Sequence, residues 1–245
     1  MALPSLAERR FRPELMDEPG LDLAEHARAL GGLRRLNVAS ATSRQLWSVI
    51  AEQTGVRPGG RLRLLDVASG GGDVALGLWR LAARCGVDLQ ILGLDKSSAA
   101  CHQASKRCQP AGAAIAFQCT DVTTAALPKG FDVTTSTLFL HHLLWKDAVN
   151  VLAKMAAAGQ LLVVNDLRRS TAGYAIAHVA CRTFTRSKVV RFDGPQSVAN
   201  AYTVEEAREL CRLAGLIGAL VRRSWPWRMT IVHNKPESPS LEGRG

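Results

Sequence analysis

Three side chains in the second half of the sequence have the chemistry of proton transfer: the adjacent pair His141-His142, and Asp166. Imidazole changes charge near neutral pH, so either histidine can act as general base toward a hydroxyl nucleophile. Asp166 is a second candidate base or a substrate anchor. Each also has a plainer role open to it. A histidine can be a hydrogen-bonded packing residue, and Asp166 a turn acid paired with Arg168 or Arg169. A second group lies upstream, where the apolar run Leu64-Leu65-Asp66-Val67-Ala68-Ser69 ends in Gly70-Gly71-Gly72-Asp73. Leu76, Leu78, Trp79 and Ala82 then follow a helical pattern, giving a buried strand, a tight turn and a helix. Glycines let the backbone approach a ligand closely, and a helix N-terminus offers it unpaired N–H groups. Such a turn suits a nucleotide-like cofactor.

Spacing separates two cofactor classes. A dinucleotide fingerprint needs G-x-G-x-x-G, and aligned that way this chain has Ala68 first and Asp73 last. A carboxylate at Asp73 would repel a pyrophosphate, which argues against an NAD-dependent oxidoreductase. The other spacing is small-x-G-x-G at Ala68, Gly70 and Gly72, after Asp66. It resembles motif I of class I S-adenosylmethionine-dependent methyltransferases, whose cofactor has no phosphate and carries a sulfonium. The remaining alternative is a structural turn with no ligand.

These residues need strands to carry them to one edge. Leu89–Asp95 reads as a second strand ending in an acid, and Ala113–Cys119 as a third, followed by Thr120-Asp121-Val122. Phe131–Leu138, rich in β-branched residues, is a fourth, and Gln160–Asn165 a fifth. A helix carrying Trp145, Val149, Leu152 and Met155 lies between these last two. Ahead of the first strand, a helix with Ser40 or Thr42 as N-cap buries Leu46, Val49 and Ile50 and stops near Gly55. Residues 170–202 break the rhythm, with a helix expected over Ala172–Phe184 and loop over Arg186–Pro195. Thr203-Val204-Glu205-Glu206 is a capping box opening a helix that stops at Gly215. Ala219–Ser224 and Arg228–His233 form a hairpin through Trp225-Pro226-Trp227.

The result is an α/β chain with a Rossmann-like seven-stranded sheet, mostly parallel, closed by an antiparallel C-terminal hairpin and covered by helices on both faces. It resembles the class I methyltransferase sheet over most of residues 40–235. Within that class, Asp132–Leu143 is similar to the matching segment of ubiquinone/menaquinone-biosynthesis C-methyltransferases and their relatives. This chain has His141-His142 where those enzymes usually carry Arg-Asn, a departure that bears on a quinone C-methylation substrate. The resemblance implies S-adenosyl-L-methionine as cofactor, held by Asp66, Ala68, Ser69, Gly70, Gly72, Asp95, Lys96, Asp121, Val122 and Thr137. Asp95 is placed to accept hydrogen bonds from two ribose hydroxyls. By the same resemblance Asp121 binds the adenine amino group, and Val122 lies against the ring.

Domain boundaries follow. Residues 1–38 are expected to form an N-terminal helical lid, with Leu23, Ala27, Leu30, Leu33 and Leu36 at helical spacing, although a plain packing helix fits as well. Residues 39–235 form the methyltransferase domain, with a substrate-binding insertion over about 170–202, and 236–245 a disordered tail. At 245 residues and 47% hydrophobic content, one large globular domain is expected. No apolar run reaches the roughly 20 residues of a membrane span. Six scattered cysteines with no C-x-x-C pair read as thiols in a reducing cytoplasm, and no metal site is read from the sequence. The net charge of +10 comes from short arginine pairs without a basic tract or interleaved aromatics, which argues against a nucleic-acid partner. The partner expected is a small, fairly apolar methyl acceptor such as a phenol, hydroxylated polyketide or quinol, methylated at oxygen. The apolar insertion residues Ala175, Ile176, Ala177, Val179 and Phe184, with Trp225 and Trp227, carry that expectation. The rivals are C-methylation of a quinone precursor, RNA methylation, and a cofactor-binding protein without catalysis. The sequence carries no signature of oligomeric state.

Overall fold

The computed structural model describes residues 6–15, 22, 25, 28–32, 35, 37 and 40–236. The periodic positions Leu23, Ala27, Leu33 and Leu36 and the tail beyond residue 236 lie outside the described residues.

The described chain runs α1 (Thr42–Thr54), β1 (Arg61–Val67), α2 (Asp73–Arg84), β2 (Asp88–Asp95), α3 (Ser98–Cys108) and β3 (Ile115–Cys119). It continues through β4 (Phe131–Thr137), α4 (Trp145–Ala158), β5 (Gly159–Leu167), α5 (Thr171–Phe184) and α6 (Lys188–Asn200), then α7 (Val204–Leu213), β6 (Leu220–Ser224) and β7 (Arg228–Asn234). Single 3-10 turns follow α3 and β4. The sheet order is β3-β2-β1-β4-β5-β7-β6, parallel from β3 to β5, with β7 antiparallel to both β5 and β6.

Two apolar layers flank this sheet. Side chains alternate across a strand, so the neighbours Leu64 and Leu65 point to opposite faces, and both are fully buried. Leu64 packs with Leu46, Ile50, Leu78, Val133 and Val163 under α1 and α2. Leu65 packs with Leu152, Met155, Leu162 and Leu210 under α4 and α7. Burial on both faces is why these strands read as continuous apolar runs.

Local signals place most element ends. The capping box at Thr203 and Glu206 forms with both its bonds. Three differences from the sequence-based expectation have physical causes. The first concerns α1, whose cap is Ala41 at φ 50 with no side-chain bond. The Ser40 and Thr42 hydroxyls, expected there, instead lie 2.8 Å from each other and both accept from the buried Arg228.

The second difference is the expected loop Arg186–Pro195, most of which is helix α6. Gly194 and Pro195 are residue types that ordinarily interrupt a helix. A Cβ on Gly194 would collide with Cys181 Sγ of α5, so this glycine permits close helix approach rather than a turn. Pro195 forfeits one helical bond. Ser187 caps the helix through Val190 N–H, and Val189, Val190 and Val198 are buried along it. Packing outweighs the breakers. The third difference is the length of β5, which runs past Asn165 to Leu167. Asp166 lies within the strand, opposite Met229 of β7.

Candidate active site

Parallel strands deliver their C-terminal ends to one edge of the sheet, and ligands of such folds gather there. At this edge the structure has a cavity of about 880 Å³, bordered by the ends of β1, β2 and β4, by helices α5 and α6, and by the N-terminal segment.

The half over β1 and β2 is a cradle of backbone and carboxylates. Ala68 adopts φ 58, Gly70 φ 52 and Gly72 φ 70, so the turn coils through the left-handed region. Ala68 holds that conformation without glycine's freedom, a local strain of the kind found at binding sites. A Cβ on Gly72 would come within 2.8 Å of Ala104 and Phe117, so this glycine keeps α2 close to α3. Gly72 itself does not border the cavity. The Asp95 carboxylate accepts from Gly70 N–H at 2.8 Å and Ser97 N–H at 2.9 Å, one bond per oxygen. Each oxygen keeps lone pairs for further donors.

Asp121 Oδ1 accepts from Thr123 N–H at 2.9 Å and Thr123 Oγ1 at 2.6 Å. Those hydrogen bonds hold its carboxyl below the usual range. Val122 is buried beside it and Lys96 is exposed at the rim, and both border the cavity. Asp66 lies beneath the turn, and burial pushes its carboxyl up to about 7, with Asp73 and Asp95 adding to the rise and the Thr135 hydrogen bond opposing it. Two hydroxyl oxygens bordering this space, Ser69 Oγ and Thr137 Oγ1, are buried without a hydrogen-bond partner among the described residues. Buried polar groups are normally paired, so two orphans on one cavity wall fit a polar ligand there.

The other half of the cavity is built around the turn Leu140–His142. His141 is buried, and its Nδ1 lies 2.6 Å from Asp166 Oδ1. Asp166 Oδ2 accepts from Phe139 N–H at 2.8 Å and Leu140 N–H at 2.6 Å, and Oδ1 also accepts from Leu167 N–H at 2.6 Å. Burial alone would raise this carboxyl. The charge and hydrogen bond of His141, with the backbone donors, outweigh that and hold it below its ordinary value. Asp166 therefore stands behind His141, and the imidazole separates it from the cavity.

The Nε2 atoms of His141 and His142 both turn toward Glu14, at 3.6 Å and 3.9 Å from its two carboxylate oxygens. Arg9 fixes the turn from outside by donating to the carbonyls of His141 and Leu143, at 3.0 and 2.8 Å. Its guanidinium also stacks 4.0 Å over the Tyr202 ring. Apolar walls come from Leu138, Phe139, Ile176, Ala177, Val190 and Val198.

The cavity thus gathers every expected site residue on its wall except Gly72 and Asp166, which support it from behind. Of the aromatic pair in the β6–β7 link, Trp227 borders the cavity, and Trp225 does not. Val179 and Phe184 face outward from α5, at 64% and 44% exposure. Sequence reasoning missed Glu14, which sits in a proline-broken stretch with no periodicity. It also missed Arg228, whose four hydrogen bonds go to Thr42, Asn165, Asn37 and Ser40. Burial lowers the Arg228 guanidinium to about 10. An arginine opening an antiparallel strand gives no local sign of burial.

A parallel five-stranded sheet with a reversed hairpin, a glycine turn after β1 and acids at the end of β2 and just after β3 define a class I S-adenosylmethionine-dependent methyltransferase fold. Residues 64–159 match the family model described as "Methyltransferase domain". None of the curated protein sequences matches the chain. Among solved structures, the plantazolicin methyltransferase in complex with a triazolic desmethylPZN analog and S-adenosylhomocysteine superimposes with a TM-score of 0.60 at 14% identity, over 82% of this chain and 85% of that one. Magnesium protoporphyrin IX methyltransferase from Synechocystis PCC 6803, with bound S-adenosylmethionine, gives 0.52 at 12% identity, over 90% and 88%. A candidate O-methyltransferase from Nostoc punctiforme PCC 73102 gives 0.57 at 17% identity, over 80% of this chain. This chain spans 56% of that protein's length. Residues 64–159 thus match a methyltransferase domain, and the chain around them shares the fold of the S-adenosylmethionine- and S-adenosylhomocysteine-bound methyltransferases. Among the described residues, no helix is long and apolar enough to cross a membrane.

Proposed function

We propose that the protein methylates an oxygen of a small, fairly apolar acceptor, such as a phenol, hydroxylated polyketide or quinol. The observation that supports this most directly is that one cavity joins the glycine-turn cradle to a chamber with apolar walls and a single imidazole-rich end. In this reading Asp95 takes the ribose hydroxyls, and Asp121 and Val122 the adenine. Ala68, Ser69, Gly70, Lys96 and Thr137 line the cofactor's path, and Asp66 and Gly72 hold the turn in shape. When bound, S-adenosylmethionine supplies a sulfonium methyl whose carbon–sulfur pair stays on sulfur as the acceptor oxygen bonds to the carbon, leaving S-adenosylhomocysteine.

The chain's own contribution is alignment, exclusion of water and activation of the acceptor. Ile176, Ala177, Val190 and Val198 hold an apolar ring. His141 and His142 receive the hydroxyl, whose proton is lost at that end of the chamber, and Asp166 keeps the His141 ring in one tautomer and orientation. Residues 1–38 act as a lid in this reading, supported by Phe11, Glu14, Leu30 and Asn37 on the cavity wall. A concave chamber of this size with apolar walls favours a small molecule over RNA. The six free thiols support a cytoplasmic location.

The test is to incubate the protein with methyl-labelled cofactor and a panel of phenols and quinols, and to locate the label by mass spectrometry and NMR. Methyl ethers support the reading. Label on ring carbon, or no transfer to any hydroxylated acceptor while an RNA is labelled, refutes it.

A further inference from the structure

We propose that Glu14, His141 and His142 form a binding site for one divalent transition-metal ion, which holds the acceptor's hydroxyl oxygen as an additional ligand. The inference rests on the acceptor chamber proposed above and specifies how its polar end works.

Geometry carries it. One carboxylate oxygen of Glu14 and one ring nitrogen of each histidine all lie within 4.8 Å of one another, and the Nε2 atoms are the ones that face Glu14. The separations from Glu14 to the two histidines, 3.6 and 3.9 Å, are too long for hydrogen bonds. They are close to the spacing of ligands sharing a cation: two atoms each about 2.1 Å from one metal stand about 3.4 Å apart in a tetrahedral arrangement. Glu14 and His141 are buried, and His142 is partly so, which makes the cluster unlike the open acidic groups common on surfaces.

The supporting groups are those a metal site needs. A metal-bound histidine ordinarily donates its other ring N–H to a carboxylate, and His141 Nδ1 meets Asp166 at 2.6 Å. Glu14 is oriented in turn by Ser197, whose hydroxyl donates to Oε1 at 2.7 Å. The segment carrying Glu14 is pinned on both sides. Arg12 exchanges two hydrogen bonds with Asn200, and Leu15 N–H donates to Asp193 at 2.9 Å. The three donors therefore reach one point from two remote parts of the chain and are held there before any ligand arrives.

The donor set indicates the ion. Two imidazoles and a carboxylate suit zinc, iron(II), cobalt(II) or manganese(II) better than calcium or magnesium, which prefer oxygen. Three protein ligands leave an open coordination position, the arrangement of catalytic sites. A phenol or quinol oxygen bound there loses its proton to solvent water at lower pH, because the cation stabilises the oxyanion. The oxyanion then donates its lone pair to the methyl carbon, the carbon–sulfur pair stays with sulfur, and the product ether, uncharged, leaves the ion readily.

The experiment takes the full-length protein, strips it with a chelator, and titrates it with zinc and cobalt(II) by calorimetry and visible absorption. One ion per chain is expected, with cobalt bands of a low-coordinate N/O site. Glu14→Gln and His142→Ala should each weaken binding at least 10-fold, and Asp166→Asn 10- to 100-fold. His102→Ala, an exposed histidine on α3, should leave it unchanged. Retained S-adenosylhomocysteine binding shows that each variant is folded. Absence of stoichiometric binding, or wild-type affinity in both Glu14→Gln and His142→Ala, overturns the site. If the ion binds but the chelated protein methylates hydroxylated acceptors at the full rate, its role toward the acceptor oxygen is wrong and the proposed function stands. If the ion binds and no hydroxylated acceptor is methylated in any metal state, the functional reading fails and the ion's role toward the acceptor fails with it.

Discussion

His141 Nδ1 and Asp166 Oδ1 face each other at 2.6 Å, one on the turn after β4 and the other inside β5, both sealed from solvent. The two strands are adjacent and parallel, with Thr137 opposite Asn165, so the sheet register itself sets this contact. Asp166 also accepts two backbone N–H groups of the turn, which ties the position of the histidine to the rigid edge of the sheet.

That relationship predicts a specific defect. Asp166→Asn should lower turnover about 10- to 100-fold while leaving cofactor affinity within twofold of wild type, because an amide holds the imidazole less firmly and in the wrong tautomer. Steady-state kinetics beside calorimetry with S-adenosylhomocysteine check it. Equal losses in turnover and cofactor affinity would mean that the pair supports the whole fold rather than the acceptor end.

Asp95 tests the cofactor half. Asp95→Ala should weaken S-adenosylhomocysteine binding by about 1–3 kcal/mol, from lost charge-assisted hydrogen bonds and an unanchored Gly70 N–H. Calorimetry showing wild-type affinity would move the ribose site elsewhere. In the same instrument NAD should not bind, since Asp73 occupies the position where a pyrophosphate needs glycine.

The sequence disclosed the fold through features that are local in the chain. Strand runs, the three glycines and the Thr203–Glu206 box each declare themselves within a dozen residues, and the sheet follows from their order. His141, Asp95 and Asp121 were legible because they lie at strand ends whose positions are set by that order. Glu14 and Ser197 were not, because Glu14 reaches the histidines, and Ser197 reaches Glu14, only through tertiary packing, and neither sits in a pattern. Gly194-Pro195 misled for a related reason. Glycine serves there for helix–helix contact with Cys181, a function that looks the same in sequence as a turn.

Asp66 makes stability depend on pH. Its folded-state value near 7 lies above the unfolded value of about 3.9. Below both values the carboxyl is protonated in either state and costs nothing. As pH rises from about 4 to 7 the unfolded chain releases the proton and the folded one retains it, so stability falls, then levels off above 7. Asp66→Asn should therefore raise the melting temperature of the cofactor-free protein more at pH 8 than at pH 5. An equal shift at both values would show that the carboxyl titrates normally.

In the proposed function, the Leu140–His142 end of the cavity activates an acceptor oxygen for methyl transfer. The most direct measurement is a single-turnover assay of labelled methyl transfer to a hydroxylated acceptor, comparing wild type with His141→Ala at saturating cofactor. Methyl ether should form in the wild type and at least about 10²-fold more slowly in the variant, with S-adenosylhomocysteine affinity unchanged. A variant that forms the ether at close to the wild-type rate would contradict it.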